Sequence, residues 1–157
     1  MESSTMSNTG YEDIVINTKY RFGEFKVTKE DIVEFAQTWD PQPFHINEQK
    51  AKRSVFGQLT ASSAQIYAIC TKLAHNSPNK LAVMAGLGVE QMNFPHPVVV
   101  GDSLHMTSVC LEKRLSKTRE GVGIVRTQAE IINQEGKVVM VLTANYMVAT
   151  KRMLEAA

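Results

Sequence analysis

Residues 61–74 constrain this chain more than any other stretch. Only Gln65 and Lys72 are strongly polar there, while Ile66, Tyr67, Ile69, Cys70 and Leu73 are not. A helix that is apolar almost all the way round is buried on most of its sides. At 1.5 Å per residue it would span roughly 21 Å. That falls short of a bilayer core of roughly 30 Å but suits the centre of a domain. Asn76-Ser77-Pro78-Asn79 stops the pattern. Such a helix needs something wrapped around it, and the rest of the chain has to provide the wrapping.

Beyond the helix the chain reads as strands. Residues 83–94 are interrupted by Gly86 and Gly88, as in a bent or bulged strand. A second strand, 104–115, comes after Gly101-Asp102. In a third, Val125, Thr127, Ala129 and Ile131 alternate with Arg126, Gln128 and Glu130, a period of two. The turn Asn133-Gln134-Glu135-Gly136 leads to a fourth strand over 138–150, apolar on both faces. Long strands joined by short turns imply an antiparallel sheet. One buried helix ahead of that sheet predicts an α+β layout with the sheet curled round the helix. Upstream, residues 20–25 read as extended. Thr28 and Asp31 form a capping-box variant, and Ile32, Phe35, Ala36 and Trp39 predict an amphipathic helix over 29–38. Asn47 caps a short charged helix over 48–53.

Composition narrows the function classes. The chain has 157 residues, within the roughly 100–200 of one domain. Residues 1–13 are polar and read as a flexible tail, and 14–157 as a single domain. Seventeen basic residues against 16 acidic ones leave a net charge of +1, which argues against a nucleic-acid partner. No apolar run is long enough to cross a bilayer, so no membrane association is expected. Cys70 and Cys110 have no Cys or His nearby at metal-ligand spacing, so neither a metal site nor another cofactor is expected. The first ten residues lack the pattern of a secretory signal, and the free cysteines fit a reducing, cytoplasmic location.

Chemistry concentrates in Trp39-Asp40-Pro41-Gln42-Pro43-Phe44-His45. Fully extended, its Asp and His would sit roughly 15 Å apart. A turn with Pro43 in second place brings them much closer. A rigid loop holding a carboxylate beside an imidazole is what proton transfer needs. On the residues alone a second reading stands beside it, a common Asp-Pro turn with a structural histidine. His75, His96 and His105 have no telling partner, and Cys70 reads as an inert core thiol. Asp102 reads as a turn residue, and Lys113, Arg114, Lys117 and Arg119 as solvated surface.

The peptide Asp40-Pro41-Gln42-Pro43-Phe44-His45 resembles the Asp-x-Asn-Pro-x-His signature of the hydratase 2, or MaoC-like, hot-dog proteins. The resemblance continues through Ser54-Val55-Phe56-Gly57-Gln58-Leu59-Thr60-Ala61-Ser62-Ser63. It resumes at Gly86-Leu87-Gly88-Val89, at Phe94-Pro95-His96-Pro97-Val98 and at Gly101-Asp102-Ser103-Leu104. It implies a long antiparallel sheet wrapped round one central helix and a homodimer or higher homo-oligomer. The implied reaction is reversible hydration of a trans-2-enoyl-CoA thioester to an (R)-3-hydroxyacyl-CoA.

By the same resemblance Asp40 and His45 hold the water that adds at Cβ. A backbone N–H at the start of the central helix, at Ser63 after Ser62, faces the thioester oxygen. A helix N-terminus offers free N–H groups whatever the side chain. Ser62 and Ser63 also suit a helix cap, and the two roles are compatible. Two departures stand out: Gln42 replaces the family's Asn, and Ser62-Ser63 replaces its His-Gly. Two other functions remain open. A hot-dog acyl-CoA thioesterase would send activated water to the carbonyl, and a non-catalytic acyl-CoA-binding subunit would keep the fold without the reaction.

Overall fold

The computed structural model describes residues 8–156. Five strands form one sheet: β1 (Lys19–Lys26), β2 (Val83–Asn93), β3 (Ser103–Leu115), β4 (Val122–Ile132) and β5 (Val138–Ala149). Their order is β1-β3-β4-β5-β2, with every neighbouring pair antiparallel. The helices are α1 (Lys29–Trp39), α2 (Pro43–Ile46), α3 (Glu48–Lys52), α4 (Ser63–Ala74) and α5 (Lys151–Ala156). This is the α+β architecture expected from the sequence, with α4 lying in the concave face of the sheet.

The alternation read in β4 decides which face is inside. Val125, Ala129 and Ile131 are buried, and Ala129 and Ile131 share one core with Leu104 and Met106 of β3 and Met140 and Leu142 of β5. Ile66, Ile69, Cys70 and Leu73 of α4 complete that core. β1 bulges between Phe22 and Phe25. Gly23 sits there at φ +79°, and any Cβ on it would meet Cδ2 of Leu73 at 2.9 Å. The bulge therefore lets strand backbone lean directly on the helix.

Burial of α4 is less complete than its composition suggests. Gln65, Ile66, Ile69, Cys70 and Leu73 are buried, while Ser63, Ala64, Ala68, Thr71 and Lys72 face outward. Apart from Lys72 the exposed stripe is built of small side chains, so weak polarity there marks an uncovered face rather than a buried one. Trp39 also departs from expectation. It continues the stripe of Ile32 and Ala36 but is 72% exposed, at the rim of a shallow groove between α1 and α4 that Phe35, Ala68 and Lys72 also line.

Of the polar tail read over 1–13, residues 1–7 lie outside the described residues. Beyond them the chain is tied down. The Thr9 N–H bonds Lys80 O at 2.7 Å and the Ala82 N–H bonds Thr9 O at 3.0 Å. Tyr11 lies over Gly123, where any Cβ would strike its ring. Ile14 closes a second cluster with Cys110, Val125 and Val148. Backbone bonding and one aromatic ring anchor a segment with almost no apolar residues to signal it.

Candidate active site

The site begins where α1 ends. Thr28 and Asp31 form the expected capping box, which starts the helix that carries Asp40 as its C-terminal cap. The Asp40 N–H bonds Ala36 O at 2.9 Å, and its carbonyl accepts the Gln42 N–H at 2.7 Å. Pro43 then occupies the first position of α2, where its missing N–H costs nothing. The His45 N–H bonds Gln42 O at 2.9 Å, which makes the turn with Pro43 in second place. The turn swings His45 back beneath Asp40.

His45 is 6% exposed, and its ring is fixed by two neighbours. Phe44 packs edge-on at 4.4 Å between ring centroids. Nδ1 lies 2.5 Å from the carbonyl oxygen of Thr60. A carbonyl only accepts, so Nδ1 carries the proton and Nε2 of the neutral ring presents a lone pair. That lone pair faces Oδ2 of Asp40 at 3.6 Å, and the Asp40 side chain keeps about a third of its surface in solvent. The separation is too long for a direct hydrogen bond. It suits one water held by both groups, and two acceptors would bind both of its protons and turn its oxygen lone pairs outward.

Thr60 links this corner to α4. Its N–H returns to Phe44 O at 3.3 Å, and the next N–H, of Ala61, bonds Val98 O at 2.9 Å. Asp102 braces that strip: Oδ2 accepts the Val99 N–H at 3.0 Å and Oδ1 accepts from Gln134 Nε2 at 2.9 Å. Two residues beyond Thr60, fully buried Ser62 caps α4, its Oγ accepting the Gln65 N–H at 3.1 Å. Ser63 is the first helical residue and is exposed. The N–H groups of Ser63 and Ala64 thus stand at the open end of the helix with no intrahelical partner. Gln65 Nε2 donates to Asp31 O at 3.0 Å and ties α4 to the helix carrying Asp40.

The structure therefore brings Asp40 and His45 together and sets Ser62 and Ser63 at the start of α4. Gln42 braces the turn through its backbone. Its exposed side chain makes no capping bond. Thr60 and Gln65 escape a reading of the sequence. Thr60 acts through its carbonyl, which no residue type signals, and a glutamine at the third position of a helix looks like an ordinary helix former. The other histidines lie elsewhere; His105, on β3, is held below its usual range by partial burial and the charge of Arg21. Among the described residues no group of three or more His, Cys, Asp or Glu is arranged to hold a metal ion. No helix among them is long and apolar enough to cross a membrane.

The chain is similar to known proteins over most of its length. The profile of the MaoC-like domain matches residues 13–131. An uncharacterised Bacillus subtilis (strain 168) protein, YdeM, is 31% identical over 142 residues, covering 90% of this chain and 98% of that protein. The MaoC-like dehydratase from Rhodospirillum rubrum superimposes with a TM-score of 0.86 at 34% identity, over 92% of this chain and 99% of that one. An unliganded R-hydratase from Pseudomonas aeruginosa gives a TM-score of 0.73 at 25% identity, over 92% and 88% of the two chains. The sheet wrapped round α4 is the hot-dog fold, and the chain belongs to the MaoC-like domain family.

Proposed function

We propose that this protein is an acyl-thioester hydratase and dehydratase that adds water across a trans-2-enoyl-CoA to give an (R)-3-hydroxyacyl-CoA. The observation that carries the reading is the facing of Asp40 Oδ2 and His45 Nε2 at 3.6 Å, with the ring tautomer set by Thr60 O. As the water oxygen bonds to Cβ, the pair takes one of its protons and returns a proton to Cα, so no net proton is consumed. Charge moves onto the thioester oxygen, where the N–H groups of Ser63 and Ala64 can meet it at the positive end of α4. Gln42 is a minor contributor, placing the turn rather than touching substrate.

The likeness to an R-hydratase supports the stereochemical sense. A thioesterase needs water activated beside the carbonyl and no proton at Cα, so the paired imidazole favours hydration. We further propose a homodimer formed through β2. Val83, Met84, Leu87 and Val89 are each about half exposed along this edge strand, and such an edge calls for a covering partner. Loss of enoyl absorbance on mixing with trans-2-enoyl-CoA substrates tests the reaction. Release of free thiol instead would establish the thioesterase, and neither signal would leave an acyl-CoA-binding subunit. Leu87→Lys should turn a dimer into a monomer in sedimentation, and an unchanged mass would reject the β2 interface.

A further inference from the structure

Gln65 is buried in a way that packing alone does not require. It is the third residue of α4 and 4% exposed. Its N–H bonds Oγ of the Ser62 cap, and its side-chain Nε2 donates to Asp31 O at 3.0 Å. A carbonyl only accepts, so the amide is fixed with its own oxygen turned away from Asp31. That oxygen is buried and has no hydrogen-bond partner among the described residues. A buried amide with one end unbonded is a poor fastener, because the oxygen has given up water and gained nothing. A methionine of similar volume would fill the space without that loss. What the amide adds over an apolar side chain is direction.

The bond lies at the base of the helix that carries the carboxylate. Asp31 is itself locked by the capping box, its N–H on Thr28 Oγ1 at 3.1 Å and its Oδ2 accepting the Thr28 N–H at 3.3 Å. From there α1 runs unbroken to Asp40, whose N–H closes on Ala36 O. The nine positions from Asp31 to Asp40 make a lever of roughly 14 Å. A tilt of about 5° at Asp31 would carry Asp40 by roughly 1 Å, and a misplacement of that size can cost about 10²-fold in rate. The imidazole is tied to the same place by a shorter route, through the carbonyl of Thr60, two residues ahead of Ser62. Carboxylate and imidazole are thus referred to one origin, the start of α4, by a bond from Gln65 and a bond from Thr60.

Resting on the proposed reaction, we infer that Gln65 is a positioning residue: through Asp31 and α1 it sets where the Asp40 carboxylate stands relative to His45 Nε2 and the N–H groups of Ser63 and Ala64. It touches no substrate. It serves the step in which protons move and not the binding of the thioester, so kcat carries its effect and KM does not.

The test compares Gln65→Met and Gln65→Glu with the wild type on a trans-2-enoyl-CoA. Gln65→Met removes the donor and the unbonded oxygen together. Its Tm should stay at the wild-type value, while kcat falls at least about tenfold and KM moves less than about twofold. Gln65→Glu supplies a side chain that donates only when protonated. The charged side chains lining the groove beside position 65 are Asp31 and Glu34 of α1 and Lys72, two turns along α4; β1 adds only Phe25. Burial and two nearby carboxylates raise the introduced carboxyl above its ordinary range. The rate of Gln65→Glu, divided by that of the wild type at each pH, should therefore recover as pH falls from about 8 to about 5. The same ratio for Gln65→Met should stay flat. An unchanged kcat in Gln65→Met, kcat and Tm falling together, or a flat Gln65→Glu ratio would overturn the inference and leave the reaction standing. Should Gln65→Met fail to fold, the Gln65→Glu ratio decides alone. If no enoyl thioester turns over, hydrogen exchange separates the two ideas. Amides of residues 33–40 that exchange about tenfold faster in Gln65→Met, with those of β3 and β4 unchanged, keep the clamp and reject the reaction. Unchanged exchange throughout rejects both.

Discussion

The two ends of α4 are built by different means. At its N-terminal end the structure is a mesh of backbone bonds, from the Gln42–His45 turn to the Thr60 and Ala61 strip, with Asp40 and His45 at its rim. At its C-terminal end the structure is a matter of side-chain volume, with Leu73 1% exposed and, next to Cys70 and Ala74, a cavity that Ser108, Thr127 and Ala129 help to line. Hydrogen bonds fix direction to within tenths of an ångström, so the first end can hold an imidazole lone pair against a carboxylate. Packing fixes volume, so the second end sets how much space is left between helix and sheet. The contrast teaches that side-chain direction and enclosed volume are set by different interactions and can change separately.

The largest effect expected from this division is at the rim. Asp40→Asn keeps size and shape but removes the charge that faces His45 Nε2. Hydration rates should fall by about 10²–10⁴, the usual contribution of a positioned acid or base. Thermal melts should show a Tm within about 2–4 °C of the wild type, the shift that 1 kcal/mol gives at this size. An equal loss of Tm and rate in this variant would erase the distinction between the two ends. The converse belongs to Leu73→Ala at the packed end, which should cost about 2–5 kcal/mol in denaturant unfolding. Turnover per folded molecule on crotonyl-CoA should stay as it was, and a matching loss of rate would show that the ends are coupled.

Ser62→Ala tests the join between them on a smaller scale. Its hydroxyl is already engaged by the Gln65 N–H at 3.1 Å, so the change should remove an N-cap at about 1 kcal/mol. The rate should fall less than tenfold. A larger loss, with stability held, would place the hydroxyl on the substrate.

The smallest effect concerns pH. Burial pushes the Cys70 thiol up to about 12 from 9.0. Its folded form holds the proton more tightly than its unfolded form, so this contribution to stability is complete below about pH 9 and lost as pH rises toward 12. Unfolding titrations of Cys70→Ala should therefore show a shallower loss of stability across that window. Identical slopes would mean that the thiol meets water in the native state.

The same contrast divides what the sequence reveals from what it hides. The capping box at Thr28 and Asp31, the turn around Pro43 and the alternation in β4 are legible, because each depends on residue types at fixed local spacing. The bond from His45 to Thr60 is not, since a carbonyl is common to every residue and the two lie 15 positions apart. The exposed face of α4 misleads because small, weakly polar residues look alike whether covered or open. Trp39 misleads because periodicity says which side of a helix is apolar, not how closely the neighbouring element packs on it. The cavity is written in Ser108, Thr127 and Ala129, but only the registers of β3 against β4 and of β4 against β5 reveal that they gather opposite one half of the helix.

The anchoring of residues 9–14 bears on the order in which the chain can be completed. The Glu12 side chain accepts the N–H of Lys151 at 2.8 Å, and Asp13 pairs with the Lys151 ammonium at 3.2 Å. β2 likewise waits for β5, with Val83 paired to Val148. During synthesis at roughly 5–20 residues per second, residues 9–14 wait several seconds for these later partners. The central helix and its neighbours emerge long before β5, which completes the sheet. The concave face of the sheet therefore stays unfinished until β5 and Lys151 have been made.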